Sequence, residues 1–174
     1  MKTLIKIILI FISPLCNADE SSLESAKAHL EGNFGRDYRI LHATYAPRVT
    51  LMPGHEFLKK EYGLSGEAGR AQSLEVKSAK LIAAMQKAEE GKPARPAERV
   101  AAMLETLKYE VINVDEGSVE VVPSDPVGTP DGKLHFQVKK GDILLKVSPP
   151  KGDFLILHLR KIEGTYRIVS EYLD

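Results

Sequence analysis

Cysteine is nearly absent from this chain: Cys16 is the only one in 174 residues, and it falls within the first eighteen. Long apolar runs are missing too. The longest, residues 4–12, is about half the ~20 residues a membrane span needs. Lys2 and Lys6 stand in and beside that run, Pro14 ends it, and Asn17-Ala18 precede an acidic stretch. A positive start, a short apolar segment and a small residue before a polar mature start describe a secretory signal. The expectation is a signal at 1–18 and one domain at 19–174, exported to a periplasm or outside the cell, with no transmembrane segment after cleavage. Lipidation of Cys16 is the competing reading. A lipoprotein signal wants a small residue before its cysteine, and here Leu15 follows Pro14. Without residues 1–18 the chain has no thiol, so disulfides and cysteine-ligated metals are excluded. A domain of this size can fold on its core alone.

An excess of charge of one sign is also lacking. The chain carries 24 basic and 24 acidic residues, and the two lysines of the signal are the only charges it would lose. The remainder gives no electrostatic pull toward nucleic acid or anionic lipid. Metal and catalytic motifs fail on inspection. His55-Glu56 opens like a zinc-binding helix, but Lys59 stands where the second histidine belongs. In Gly63-Leu64-Ser65-Gly66-Glu67, Glu67 replaces the final glycine of a nucleophile elbow. No metal and no cofactor is expected.

Helical periodicity fills the first part. Ser21 and Glu24 form a capping-box pattern before Leu23, Ala26, Leu30 and Phe34. Asp37 can cap a second helix carrying Tyr38, Leu41 and Tyr45, which Pro47 stops. A strand at 48–52 and a poorly patterned stretch at 55–70 follow. Helices are predicted at 73–88 and after Pro96, the latter with Val100, Met103, Leu104 and Leu107 on one face. Beyond Lys108 the pattern is β, with strands near 109–114, 118–122, 134–138, 142–147, 153–162 and 165–173. Their short turns suggest an antiparallel meander. Helices first and strands last make an α+β fold, a sheet covered on one face by helices.

The stretch Asp37-Tyr38-Arg39-Ile40-Leu41-His42-Ala43-Thr44-Tyr45-Ala46-Pro47-Arg48-Val49-Thr50-Leu51-Met52-Pro53-Gly54 resembles the start of an NTF2-like, or SnoaL-like, domain. In that superfamily helices run into a Tyr-Ala-x-x-Val-x-Leu-x-Pro segment that becomes the first strand. The end of the chain, with its turn at Gly164 and Tyr166-Arg167-Ile168-Val169, resembles the last hairpin of the fold. The resemblance implies a cone of curved antiparallel sheet wrapped around the N-terminal helices, with a pocket between them. The predicted helices in the middle make an enlarged insertion there. It says little of chemistry, since the fold hosts enzymes, binders and assembly modules.

Candidate site residues follow from alternation and from that resemblance. Phe154, Ile156, His158, Arg160 and Ile162 share one strand face. An arginine beside His158 would keep the imidazole neutral and able to act as a base; otherwise the histidine serves a dimer interface or sheet rim. Arg167, Val169 and Glu171 are placed on one face of the last strand, with Glu171 a pocket acid or an outward ion-pair residue. Asp37 is an N-cap or a pocket aspartate. His42 borders the Tyr38–Leu41–Tyr45 stripe and could face His158 across a cavity. Tyr38, Tyr45, Tyr109, Arg160 and Glu171 are pocket-wall candidates, the tyrosines equally readable as core. Three functions are open: an exported module binding a small apolar ligand or a partner, with dimerisation through the sheet face as one form of it; a cofactor-free proton-transfer enzyme; and a cell-envelope assembly module.

Overall fold

The computed structural model describes residues 20–52, 73–93, 95–112, 116–122 and 131–173. The signal, the His55 and Gly63–Glu67 motifs and most of the 123–132 loop lie outside them. Helix α1 spans Glu20–Gly35 and α2 Tyr38–Thr44; strand β1 is Tyr45–Leu51 and β2 Leu74–Lys77. Helices α3 (Ser78–Ala88) and α4 (Ala97–Glu105) come next. Strands β3 (Lys108–Ile112), β4 (Gly117–Val121), β5 (Leu134–Val138), β6 (Ile143–Ser148), β7 (Leu155–Ile162) and β8 (Thr165–Leu173) complete the chain.

Helices α1 and α2 form where the apolar spacing placed them. Helix α1 starts at Glu20, so Ser21 lies inside its first turn. Asp37 caps α2: its carboxylate accepts the Arg39 N–H at 3.0 Å. The two helices cross closely at Gly32, where a Cβ would stand 3.0 Å from the Ile40 side chain. That approach explains a glycine in a helix interior despite its poor propensity. Tyr45 belongs to β1 and not to the helical stripe, because the residues before Pro47 are driven out of helical geometry.

The main sheet has six strands in the order β2-β1-β8-β7-β6-β3. It is mixed and not wholly antiparallel, since β1 runs parallel to β8. Two further departures from the sequence reading have physical causes. Residues 74–77 form a strand where a helix was predicted: Val76 is buried opposite Val49, and Arg48 pairs with Glu75. Cross-strand packing there overrides helical periodicity. The meander is interrupted as well, because β4 and β5 form a separate two-stranded sheet. Leu134, Phe136 and Val138 all point to one side of β5, giving the hairpin a single apolar face to bury.

Two cores result, one on each side of the sheet. On one face Ala26, Leu30 and Leu41 of the helices pack with Val49, Leu145, Val147, Leu157, Leu159 and Ile168. On the other, the β4–β5 hairpin lays Leu134, Phe136 and Val138 over Leu144, Ile156 and Tyr172. No helix among the described residues is long and apolar enough to cross a membrane.

Candidate functional site

The predicted alternation along β7 holds: Leu155, Leu157 and Leu159 join the helix-side core, while Ile156 faces the hairpin. His158 and Arg160 share the hairpin side. The sequence left that pair without an acid; the structure supplies Asp142. It sits at the tight turn between β5 and β6, where its N–H donates to the Lys139 carbonyl at 2.9 Å. Its own Oδ2 accepts the Lys139 N–H at 2.9 Å. The turn thus fixes the carboxylate at the head of β6, and the β6–β7 register carries it to Arg160.

Asp142 then holds both partners. Its Oδ2 lies 2.8 Å from His158 Nε2. Arg160 donates from Nε to Oδ1 at 2.9 Å and from Nη2 to Oδ2 at 2.6 Å, a two-pronged grip. The Asp142 side chain is 2% exposed, that of His158 4% and that of Arg160 28%. Burial alone would raise the Asp142 carboxyl, but hydrogen bonds from Arg160, the Lys139 N–H and His158 hold it below its ordinary value. For His158, burial is the main influence and lowers its pKa; Asp142 pulls the other way, and the Arg160 charge adds a smaller push downward. The imidazole is therefore neutral near pH 7, with Nε2–H donated to Asp142. Nδ1 is the nitrogen left for a ligand.

His158 and Arg160 border a cleft of about 260 Å³ between the hairpin and the sheet. Met52, Phe136 and Val169 give it apolar walls; Thr50, Ser73, Ser170, Gln137, His135, Lys139, His158 and Arg160 supply polar groups. It lies on the sheet face away from the helices, not between helices and sheet.

Tyr45 and Glu171 are brought together elsewhere, in the helix-side core. The Tyr45 hydroxyl donates to Glu171 Oε2 at 2.6 Å. The ring of His29 meets Tyr45 edge-on at 4.6 Å, and His29 Nδ1 lies 3.1 Å from Thr44 Oγ1. His29 Nε2 is 3.3 Å from Glu171 Oε2 but out of line for a hydrogen bond, so the contact is electrostatic. Burial first, then the Glu171 charge, push the Tyr45 hydroxyl well above its ordinary pKa, keeping it a donor. Strict alternation had put Glu171 with Arg167 and Val169. A β-bulge corrects this: His158 faces Ser170 and Leu159 faces Ile168, leaving Val169 as the extra residue. Glu171 thereby rotates onto the Ile168 side, and Ser170 onto the cleft side.

The remaining candidates do not converge. His42 is exposed on α2, whereas His158 is buried on the far side of the sheet, so the two do not meet. Asp37 caps its helix and pairs with Arg39 at 2.9 Å. Tyr38 packs at the edge of the helix-side core. Tyr109 does the same under the Lys27 ammonium, 5.6 Å from the ring centre. Among the described residues no group of three His, Cys, Asp or Glu is placed to hold a metal. Among the described residues Val122 is the large apolar side chain that stands exposed.

Both perturbed groups make stability fall with acid. A histidine whose folded pKa is lowered leaves the unfolded chain binding more protons below its ordinary value near 6.5. Asp142 adds its loss only below its ordinary value near 3.9. Urea midpoints should therefore fall from pH 7.5 to 5, and the His158→Gln variant should lose part of that slope. A slope identical in both proteins would contradict the assignment.

Compared with known proteins, the chain matches no family model, and no curated protein or solved structure matches it significantly.

Proposed function

We propose that this chain is an exported NTF2-like domain acting as a non-enzymatic binding module, which takes a small, largely apolar ligand in the cleft beneath the β4–β5 hairpin. The observation that carries the reading is the cleft itself: apolar walls with a few convergent polar groups, at the site where a histidine is shifted by burial. Its volume, below the range of drug-sized pockets, suits a small metabolite. Superfamily membership draws support from two features: the Tyr45-Ala46 segment that leaves α2 as the first strand, and the final β7–β8 hairpin. Export rests on the lysine-flanked apolar start of the sequence.

Melting the purified protein against a library of small metabolites tests it. A ligand at about 100 times its Kd adds about 2.7 kcal/mol, a rise of roughly 5–10 °C for a domain of this size. Val169→Phe, which fills the cleft, should abolish the rise. A rise that survives this substitution places the ligand elsewhere and ends the cleft reading.

One observation favours a second reading. Asp142 fixes the tautomer of a neutral His158, a residue that borders the cleft, the arrangement of a general base. Proton transfer on a bound carbonyl compound would appear as deuterium exchange at its α-carbon in D2O. Absence of exchange at a saturated site leaves binding alone.

A further inference from the structure

The lining of the cleft is one-sided in charge. Among the described residues that border it, Lys139 and Arg160 contribute cations, His158 and His135 ring nitrogens (His135 Nε2 lies 2.7 Å from Asp131 Oδ2), and none is acidic. Asp142 stands behind the wall, and its two oxygens are taken up by Arg160, His158 and the Lys139 N–H. Arg160 uses Nε and Nη2 for that grip, so Nη1 makes none of these bonds. It is pinned in place with donors to spare, which removes the side-chain entropy that a mobile arginine loses on binding.

The second observation is a buried donor without a partner. Ser170 is 6% exposed, borders the cleft, and its hydroxyl finds no hydrogen-bond acceptor among the described residues. Such a group carries a desolvation cost unless something accepts from it. Ser170 is also the cross-strand partner of His158, the strand neighbour of Arg160. The bulge at Val169 is what turns it to this side. A hydroxyl donor, a pinned guanidinium and a lysine along one apolar cleft call for a ligand with a negative head and an apolar body.

We infer that the cleft binds small monocarboxylates, the carboxylate held by Ser170 and Arg160 with Lys139 at the rim, and the hydrocarbon lying against Met52, Phe136 and Val169. This rests on the binding reading above and names the ligand class for the same site. Deprotonated His158 adds no competing charge; its Nδ1 can accept from a hydroxyl next to the carboxylate.

Calorimetric titration with matched probes tests it: benzoate and hexanoate, their neutral amides benzamide and hexanamide, and the cations benzylamine and hexylamine. A carboxylate should bind at least about tenfold tighter than its amide, with the amine weaker still. Ser170→Ala should weaken the carboxylate about tenfold, leave the amide nearly unchanged, and leave the melting temperature equal or raised because a buried unpaired hydroxyl is gone. An amide or amine that binds as tightly as its carboxylate overturns the inference while a cleft ligand of another class stands. Failure of both carboxylates to bind also overturns it. Equal carboxylate affinity in wild type and Ser170→Ala removes the serine anchor.

Discussion

Replacing Asp142 by alanine should cost about 3 kcal/mol of stability, the largest single loss outside the apolar cores. Removing one partner of a buried pair leaves the other charge uncompensated, typically about 3–5 kcal/mol. The low end applies here, because Arg160 keeps 28% of its side chain in solvent and can relax outward. His158 loses its acceptor and the β5–β6 turn loses the bond from Lys139 at the same time. At roughly 2–4 °C per kcal/mol the melting point should drop about 6–12 °C. Asp142→Asn keeps an oxygen in the turn and should lose noticeably less. A melting point within 2 °C of wild type in Asp142→Ala would show that the triad is not formed. The cleft loses its pinned arginine in the same variant, so ligand binding and stability should fall together.

The second large effect concerns the cluster that does not border the cleft. Tyr45→Phe deletes the donor to a fully buried Glu171 carboxylate and should cost about 1–3 kcal/mol. Glu171→Leu removes the acceptor from Tyr45 and the charge beside His29, and its cost is of the same order. Together they should cost much less than the sum, since an apolar pair of similar volume needs no partner. A double-mutant cycle by urea denaturation measures this, with an expected coupling of about 1–2 kcal/mol. Additive losses would mean the 2.6 Å contact contributes nothing. Because this cluster lies in the helix-side core, neither substitution should move ligand affinity.

How far the site could be read in advance depended on which physical rule governed each residue. Alternation along β7 placed His158 and Arg160 together, because that strand is regular and apolar on one face. Asp142 escaped notice, sixteen residues earlier and hidden as a turn residue. Yet counting back from the Pro149-Pro150-Lys151-Gly152 turn pairs Ile143 with Leu159 and sets Asp142 against Arg160. That register was the available signal. Glu171 was put on the wrong face because a bulge at Val169, with no glycine to mark it, shifts everything beyond by one. Leu74–Lys77 read as helix because four residues cannot separate the two periods, and only β1 decides between them. His29, three residues after Ala26, lies on the buried stripe of α1, but the sequence does not say which acid it meets. Apart from β2, the order of elements was legible; the parallel β1–β8 pair and the separate hairpin were not, since both are long-range choices.

The proposed binding surface lies beneath the β4–β5 hairpin and not between helices and sheet. Following backbone amide shifts while titrating the protein with benzoate tests it most directly. Perturbations should centre on Phe136, Gln137, Lys139, Val169 and Ser170, with α1 and α2 unmoved. Shifts centred on Ala26, Leu30 and Leu41, or none at millimolar benzoate, would contradict it.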